Sequence, residues 1–119
     1  MPESILKDKS KEFAKNIVYL CRKLKCAGIE QILLDQLLKS GTSIGANIHE
    51  AQYAQGSKDF ISKLEIALKE ANESEYWLGL LFDTESIEKS IYEKLLKDET
   101  EIRRMLVSSI TTIKSREET

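Results

Sequence analysis

An antiparallel, up-down-up-down four-helix bundle is the all-α fold that this sequence predicts, on three observations. Apolar and small residues return at gaps of three and four along four separate segments, the period of an amphipathic helix. No stretch alternates apolar and polar residues as a half-buried strand would. The joints between segments span about two to five residues, which leaves antiparallel neighbours as the available arrangement.

The first helix is expected over about 4–25, with Ser10, Phe13, Ile17, Leu20 and Leu24 on one side. Gly28 suits a left-handed cap just beyond its end, and Arg22, Lys23 and Lys25 suit the negative end of its dipole.

The second helix, about 30–55, is the least obvious. Its middle, Ser40-Gly41-Thr42-Ser43-Ile44-Gly45-Ala46-Asn47, has the composition of a loop. Each glycine costs about 1 kcal/mol against alanine inside a helix, and Ser, Thr and Asn add smaller penalties. Yet Leu34, Leu37, Gly41, Ile44, Ile48 and Ala51 keep the helical phase straight through it. A loop has no reason to preserve that phase, so one continuous helix is predicted. Gly41 and Gly45 then serve close helix packing, with tertiary contact offsetting the lost propensity.

Gly56 closes this segment, and Ser57 is the expected N-cap of a third helix over about 58–82. Its stripe is Phe60, Leu64, Ala67, Ala71, Ser74, Leu78 and Leu81, widened by Ile61, Leu68 and Phe82. Asp83-Thr84 is read as the turn into a fourth helix over about 85–114, striped by Ile87, Ile91, Leu95, Ile102, Leu106, Ile110 and Ile113.

The 119 residues fit a single domain. A composition of 41% apolar and 32% charged residues, with five glycines and one proline, excludes collagenous and glycine- or proline-rich disordered classes. Aromatics are only 7%, so the core must be aliphatic. No apolar run approaches the roughly 18 residues of a membrane span, and the N-terminus lacks a signal-type apolar stretch. The expected location is the cytoplasm, with no membrane partner.

The net charge of −2 argues against a generic nucleic-acid binder, but it is unevenly placed. Residues 1–28 hold seven Lys/Arg against three acids, whereas residues 57–85 hold three Lys against seven acids. Lys7, Lys11, Lys15, Arg22 and Lys23 are the candidate phosphate contacts should nucleic acid bind.

Catalytic and metal chemistries find no support. Gly41 and Gly45 are followed by no Gly-Lys-Ser/Thr, so a phosphate loop is excluded. His49-Glu50 begins like a zinc-protease helix, but Tyr53 stands where the second histidine belongs. Glu65, Glu70, Glu73 and Glu75 lack the Glu-x-x-His pairs of a di-metal bundle, since His49 is the only histidine. Cys21 and Cys26 turn about 140° apart on a helix and are expected as free thiols. No cofactor is expected and no enzyme is predicted.

Two other groups remain. Ser40, Ser43, Asn47 and Glu50, with Glu73 from the third helix, are expected to form a polar network that fixes register. Tyr76 and Trp77 are the candidate subunit interface, and with Ile66, Leu38 and Tyr92 they fall off the main stripes.

The block from Leu37 to Ala51, with its Ser-Gly-x-Ser-Ile-x-Ala-Asn-Ile-x-Glu-Ala core, and the run from Asp59 to Leu78 resemble a known family. It is that of the bacterial four-helix-bundle proteins found in intervening sequences of 23S rRNA genes, and the resemblance spans essentially the whole chain. The family is similar in fold to the accessory variability protein of diversity-generating retroelements, a pentameric ring that engages a reverse transcriptase and nucleic acid. The resemblance implies a four-helix bundle and five identical subunits. Composition and spacing alone reach only a soluble helical domain; with the resemblance, the expected function is a homo-oligomeric scaffold for a macromolecular partner, protein or nucleic acid, with an RNA- or DNA-binding accessory protein as the alternative.

Overall fold

A computed structural model describes residues 2–117. Four helices follow one another: α1 (Pro2–Cys26), α2 (Gln31–Ala51), α3 (Ser57–Asp83) and α4 (Lys89–Glu117). Together they form a rod of 52 × 22 × 20 Å. Each helix packs on its two neighbours around a square, and among the described residues the Cα atoms of the diagonal pairs α1/α3 and α2/α4 stay more than 8 Å apart.

Cross-helix contacts run in opposite directions along adjacent helices. Gly41 meets Ile17 and Gly45 meets Ser10, while Lys114 pairs with Glu65 and Arg103 with Glu75. Rising numbers on one helix face falling numbers on the other, which is the antiparallel register.

The apolar stripes form the core. Phe13, Ile17, Leu34, Leu37, Ile44, Leu64, Leu78, Leu81, Ile102 and Leu106 are buried, as the 3.6-residue phase requires. The loop-like middle of α2 is helical throughout. Its hydroxyls are turned back into the helix, Thr42 donating to the Leu38 carbonyl (2.7 Å) and Ser43 to that of Lys39 (2.6 Å). A Cβ built on Gly41 would fall 2.9 Å from Ile17 Cγ1, so α1 lies against bare backbone there. At Gly45 the neighbour is the Ser10 carbonyl oxygen, 3.3 Å from such a Cβ.

Helix ends depart from expectation in three places. α2 stops at Ala51, where its stripe ends, rather than near residue 55. Beyond it Gln52, Tyr53 and Ala54 each donate three residues back, a tightened last turn with no apolar face to bury. α3 begins at Ser57, so Gly56 rather than Ser57 is its N-cap, and Asp59 accepts from the Gln55 N–H (3.2 Å). α4 begins at Lys89 rather than 85 and continues to Glu117. Residues 84–86 instead complete the end of α3: Ser86 N–H bonds the Leu81 carbonyl (2.8 Å) and Glu85 N–H that of Phe82 (3.0 Å). Ile87 is buried ahead of the helix.

Candidate functional site

The expected polar group separates into parts. Ser40 is buried, and its hydroxyl donates to the Leu37 carbonyl (3.3 Å). The Ser74 hydroxyl of α3 reaches it across the seam at 3.0 Å, with the Glu70 carbonyl 2.9 Å from Ser74. Ser43 and Asn47 bond within their own helix, Asn47 Nδ2 donating to the Ser43 carbonyl (2.8 Å). Glu50 is exposed, and Glu73 Oε1 accepts from Trp77 Nε1 (3.4 Å). Burial, then the Glu73 charge beside it, push the Glu70 carboxyl above its ordinary range. Among the described residues no hydrogen bond joins Ser40, Ser43, Asn47, Glu50 and Glu73 into one network. The structure pairs Ser40 with Ser74, a residue that the stripe of α3 already placed inside.

The off-stripe residues also divide. Tyr76 is 62% exposed, and Ile66 and Leu38 are exposed beside their apolar stripes. Trp77 and Tyr92 are half-buried against the core instead. Tyr76 meets the Trp77 ring edge-on at 4.9 Å, and Tyr92 stacks on Phe82 at 4.4 Å. Tyr19, Ile32, Tyr53 and Val107 are exposed as well.

Lys7, Lys11, Lys15, Arg22 and Lys23 are all exposed on α1. The Arg22 guanidinium lies 6.0 Å above the exposed Tyr19 ring, and Lys15 stands 3.6 Å from Glu12. The basic α1 and acidic α3 stand on opposite corners, and among the described residues no ion pair joins them within one chain.

One group was not foreseen. Glu99 is fully buried on the stripe of α4, and its Oε2 accepts from Arg103 Nε at 3.1 Å. Arg103 Nη2 also donates to Glu75 Oε2 on α3 at 2.9 Å. Glu99 Oε1 has no hydrogen-bond partner among the described residues. The signal was present in the seven-residue gap between Leu95 and Ile102, where helical phase demands an inward residue.

A cavity of about 200 Å³ opens at the end of the bundle where the α2–α3 joint meets the close of α4. Leu6, Ile48, Phe60 and Leu64 form its floor, with Ser108 and Thr112 among its polar atoms. Its lining offers apolar surface, hydroxyls, an amide and the Arg116 guanidinium, but no carboxylate, thiol or imidazole. Cys21 and Cys26 are free thiols, Cys21 buried and Cys26 exposed. Among the described residues no group of three or more His, Cys, Asp or Glu side chains could hold a metal ion. Among the described residues no helix is long and apolar enough to cross a membrane.

A family model described as 23S rRNA-intervening sequence protein matches residues 3–108. A crystal structure of a protein of unknown function from the S23 ribosomal protein family of Bacteroides thetaiotaomicron is 53% identical to this chain. The match covers 93% of this chain and 99% of that one, with a TM-score of 0.91. No curated protein matches the chain.

Proposed function

The chain belongs to the 23S rRNA-intervening sequence protein family, and from that premise we propose that it is a non-enzymatic scaffold of identical copies that binds a macromolecular partner in the cytoplasm. The observation that carries this reading is the apolar surface left outside the core. Tyr76 and Ile66 on α3, Leu38 on α2 and Val107 on α4 are exposed on a chain of only 119 residues. Self-association is the economical way to cover them.

The charge layout supports a head-to-tail contact over a two-fold one. With α1 basic and α3 acidic on opposite corners, the α1 side of one copy complements the α3 side of the next. Such heterologous contacts close into rings, and the family resemblance implies five members. Two free thiols suit a reducing compartment.

Light scattering should give a mass near five times the 13.6 kDa chain. Tyr76→Glu, at a position exposed in the single chain, should shift the mass toward smaller species. A monodisperse monomer at micromolar concentration would overturn the reading.

A second reading rests on the Tyr19–Arg22 pair among the lysines of α1, an aromatic face with cations around it that suits single-stranded nucleic acid. RNA affinity would then fall steeply with salt, and reversing Lys7, Lys11 and Lys15 to glutamate would abolish it. Little binding is expected at about 150 mM salt for a net acidic chain. Tight, salt-sensitive binding there would put nucleic acid first.

A further inference from the structure

Glu99 is the only charged side chain that the fold buries among the described residues. It occupies a core position of α4 between Leu95 and Ile102, both buried. One oxygen is held by Arg103 and the other has no hydrogen-bond partner among the described residues. Arg103 is not its private counter-ion, because the same guanidinium also binds Glu75 on α3. A single positive charge thus serves two carboxylates, one sealed and one still in contact with water. A carboxylate in that position costs desolvation that a shared guanidinium cannot fully offset, whereas the neutral acid is far cheaper to bury.

We propose that Glu99 makes the α3–α4 half of the bundle pH-responsive, with α4 firmly packed while the carboxyl is protonated and loosened when it ionises. Arg103 is the hinge of the response. When Glu99 is neutral the guanidinium is free to serve Glu75 alone, and when Glu99 is charged it must divide between them. The groups that act on Glu99 are Arg103 on its own helix and Glu75 on α3. From α1, the other helix packed on α4, Leu6, Ser10, Phe13 and Ile17 face the core. The α1 lysines stay exposed, Lys9 being held by Glu101 at 3.0 Å.

Burial, the largest influence, pushes the Glu99 carboxyl up from 4.5 to about 7; Arg103 opposes this and Glu75 adds to it. The folded value therefore lies above the unfolded one. The stability associated with the protonated group is fully present below about pH 4.5 and is lost as pH rises through about 7. The response falls within the range where cells operate.

Urea unfolding at a fixed chain concentration, from pH 5 to 8, compares the wild type with Glu99→Gln, which is neutral and nearly isosteric. Relative to that variant, the folding constant of the wild type should fall roughly 70-fold across the range. Superimposable pH profiles for the two proteins would overturn the proposal. Hydrogen exchange, corrected for its intrinsic pH dependence, should show protection falling more along α4 than along α2. Uniform loss along both helices would overturn the assignment to this half. Should Glu99→Gln fail to fold, a carbon-detected NMR titration of the wild-type carboxyl decides: a midpoint between about 6 and 8 supports the switch, and one near 4.5 removes it.

Discussion

The α1–α2 half and the α3–α4 half share one plan and are held by different forces. Where α1 meets α2, backbone lies against side chain: Gly41 leaves room for Ile17, and Gly45 for the Ser10 carbonyl. The polar contact there is weak, Cys21 Sγ to the Leu34 carbonyl at 3.7 Å. Burial and the Asp35 charge push that thiol up to about 11, so it stays neutral. No ion pair crosses this seam among the described residues. Two cross the other one, Arg103 to Glu75 and Lys114 to Glu65, with Glu99 buried behind the first. Shape closes one half, and charge organises the other. A seam made by shape should respond to added volume and ignore pH, while a seam made by charge should do the reverse.

The largest test attacks the shape. Gly41→Leu would place carbon against Ile17 Cγ1, Cγ2 and Cβ, all within 3.3 Å of the new Cβ. Ile17 is β-branched and stiff at χ1, so it cannot swing aside. Overpacking of this kind costs about 1–3 kcal/mol, and leucine belongs at the upper end despite its gain of about 1 kcal/mol in helix propensity. A net loss of about 2 kcal/mol, equal at pH 5 and pH 8, is expected from reversible denaturation. A wild-type midpoint would mean that α1 does not approach α2 closely there.

Arg103→Met attacks the charge. Removing one partner of a buried pair usually costs about 3–5 kcal/mol, because an uncompensated charge is left inside. Glu99 can escape by taking up a proton, which reduces the loss to about 2 kcal/mol at pH 8. At pH 5, where Glu99 is already protonated, Arg103 retains only its half-exposed contact to Glu75, and the loss should fall below about 1 kcal/mol. Equal losses at both pH values would erase the distinction between the halves.

How much of this was legible differs between the halves for the same reason. In α2 a helix runs through Ser40–Asn47 because period outweighs composition, and the stripe from Leu34 to Ala51 shows the period directly. The small residues there have a meaning that sequence can carry, since a glycine on a core stripe implies a close neighbour. In α4 the corresponding position holds Glu99, and reading apolar residues alone leaves a gap where a core residue stands. Its partner Arg103 stands four positions on, a spacing common to surface ion pairs, and Glu75, which shares that guanidinium, lies 24 positions back on α3, so nothing local shows that the charge is buried and its counter-ion divided. The ends of α2 and α4 were misplaced because turns are settled by backbone hydrogen bonds to the preceding helix. The 84–86 segment closes α3 before α4 can begin.

The smallest effect is the cleanest, because the two halves turn in the same way with different residues. After α1, Gly28 takes φ +80, its N–H bonds the Lys25 carbonyl (3.1 Å), and Ile29 N–H bonds that of Leu24 (3.1 Å). After α3, Glu85 takes φ 61 in the same pair of bonds, to Phe82 and Leu81. This is the left-handed helix stop that glycine occupies without a steric cost and other residues occupy at roughly 1 kcal/mol. A Cβ on Gly28 would meet nothing within 4 Å, so only its dihedral opposes a side chain there. Gly28→Ala should therefore lose about 1 kcal/mol, and Glu85→Gly should gain slightly less, since glycine also frees the unfolded chain. The two variants move in opposite directions through one mechanism. If Glu85→Gly fails to raise the urea midpoint while Gly28→Ala lowers it, the glutamate side chain contributes to the α3–α4 half beyond its backbone. The similarity of the two turns would then end at their hydrogen bonds.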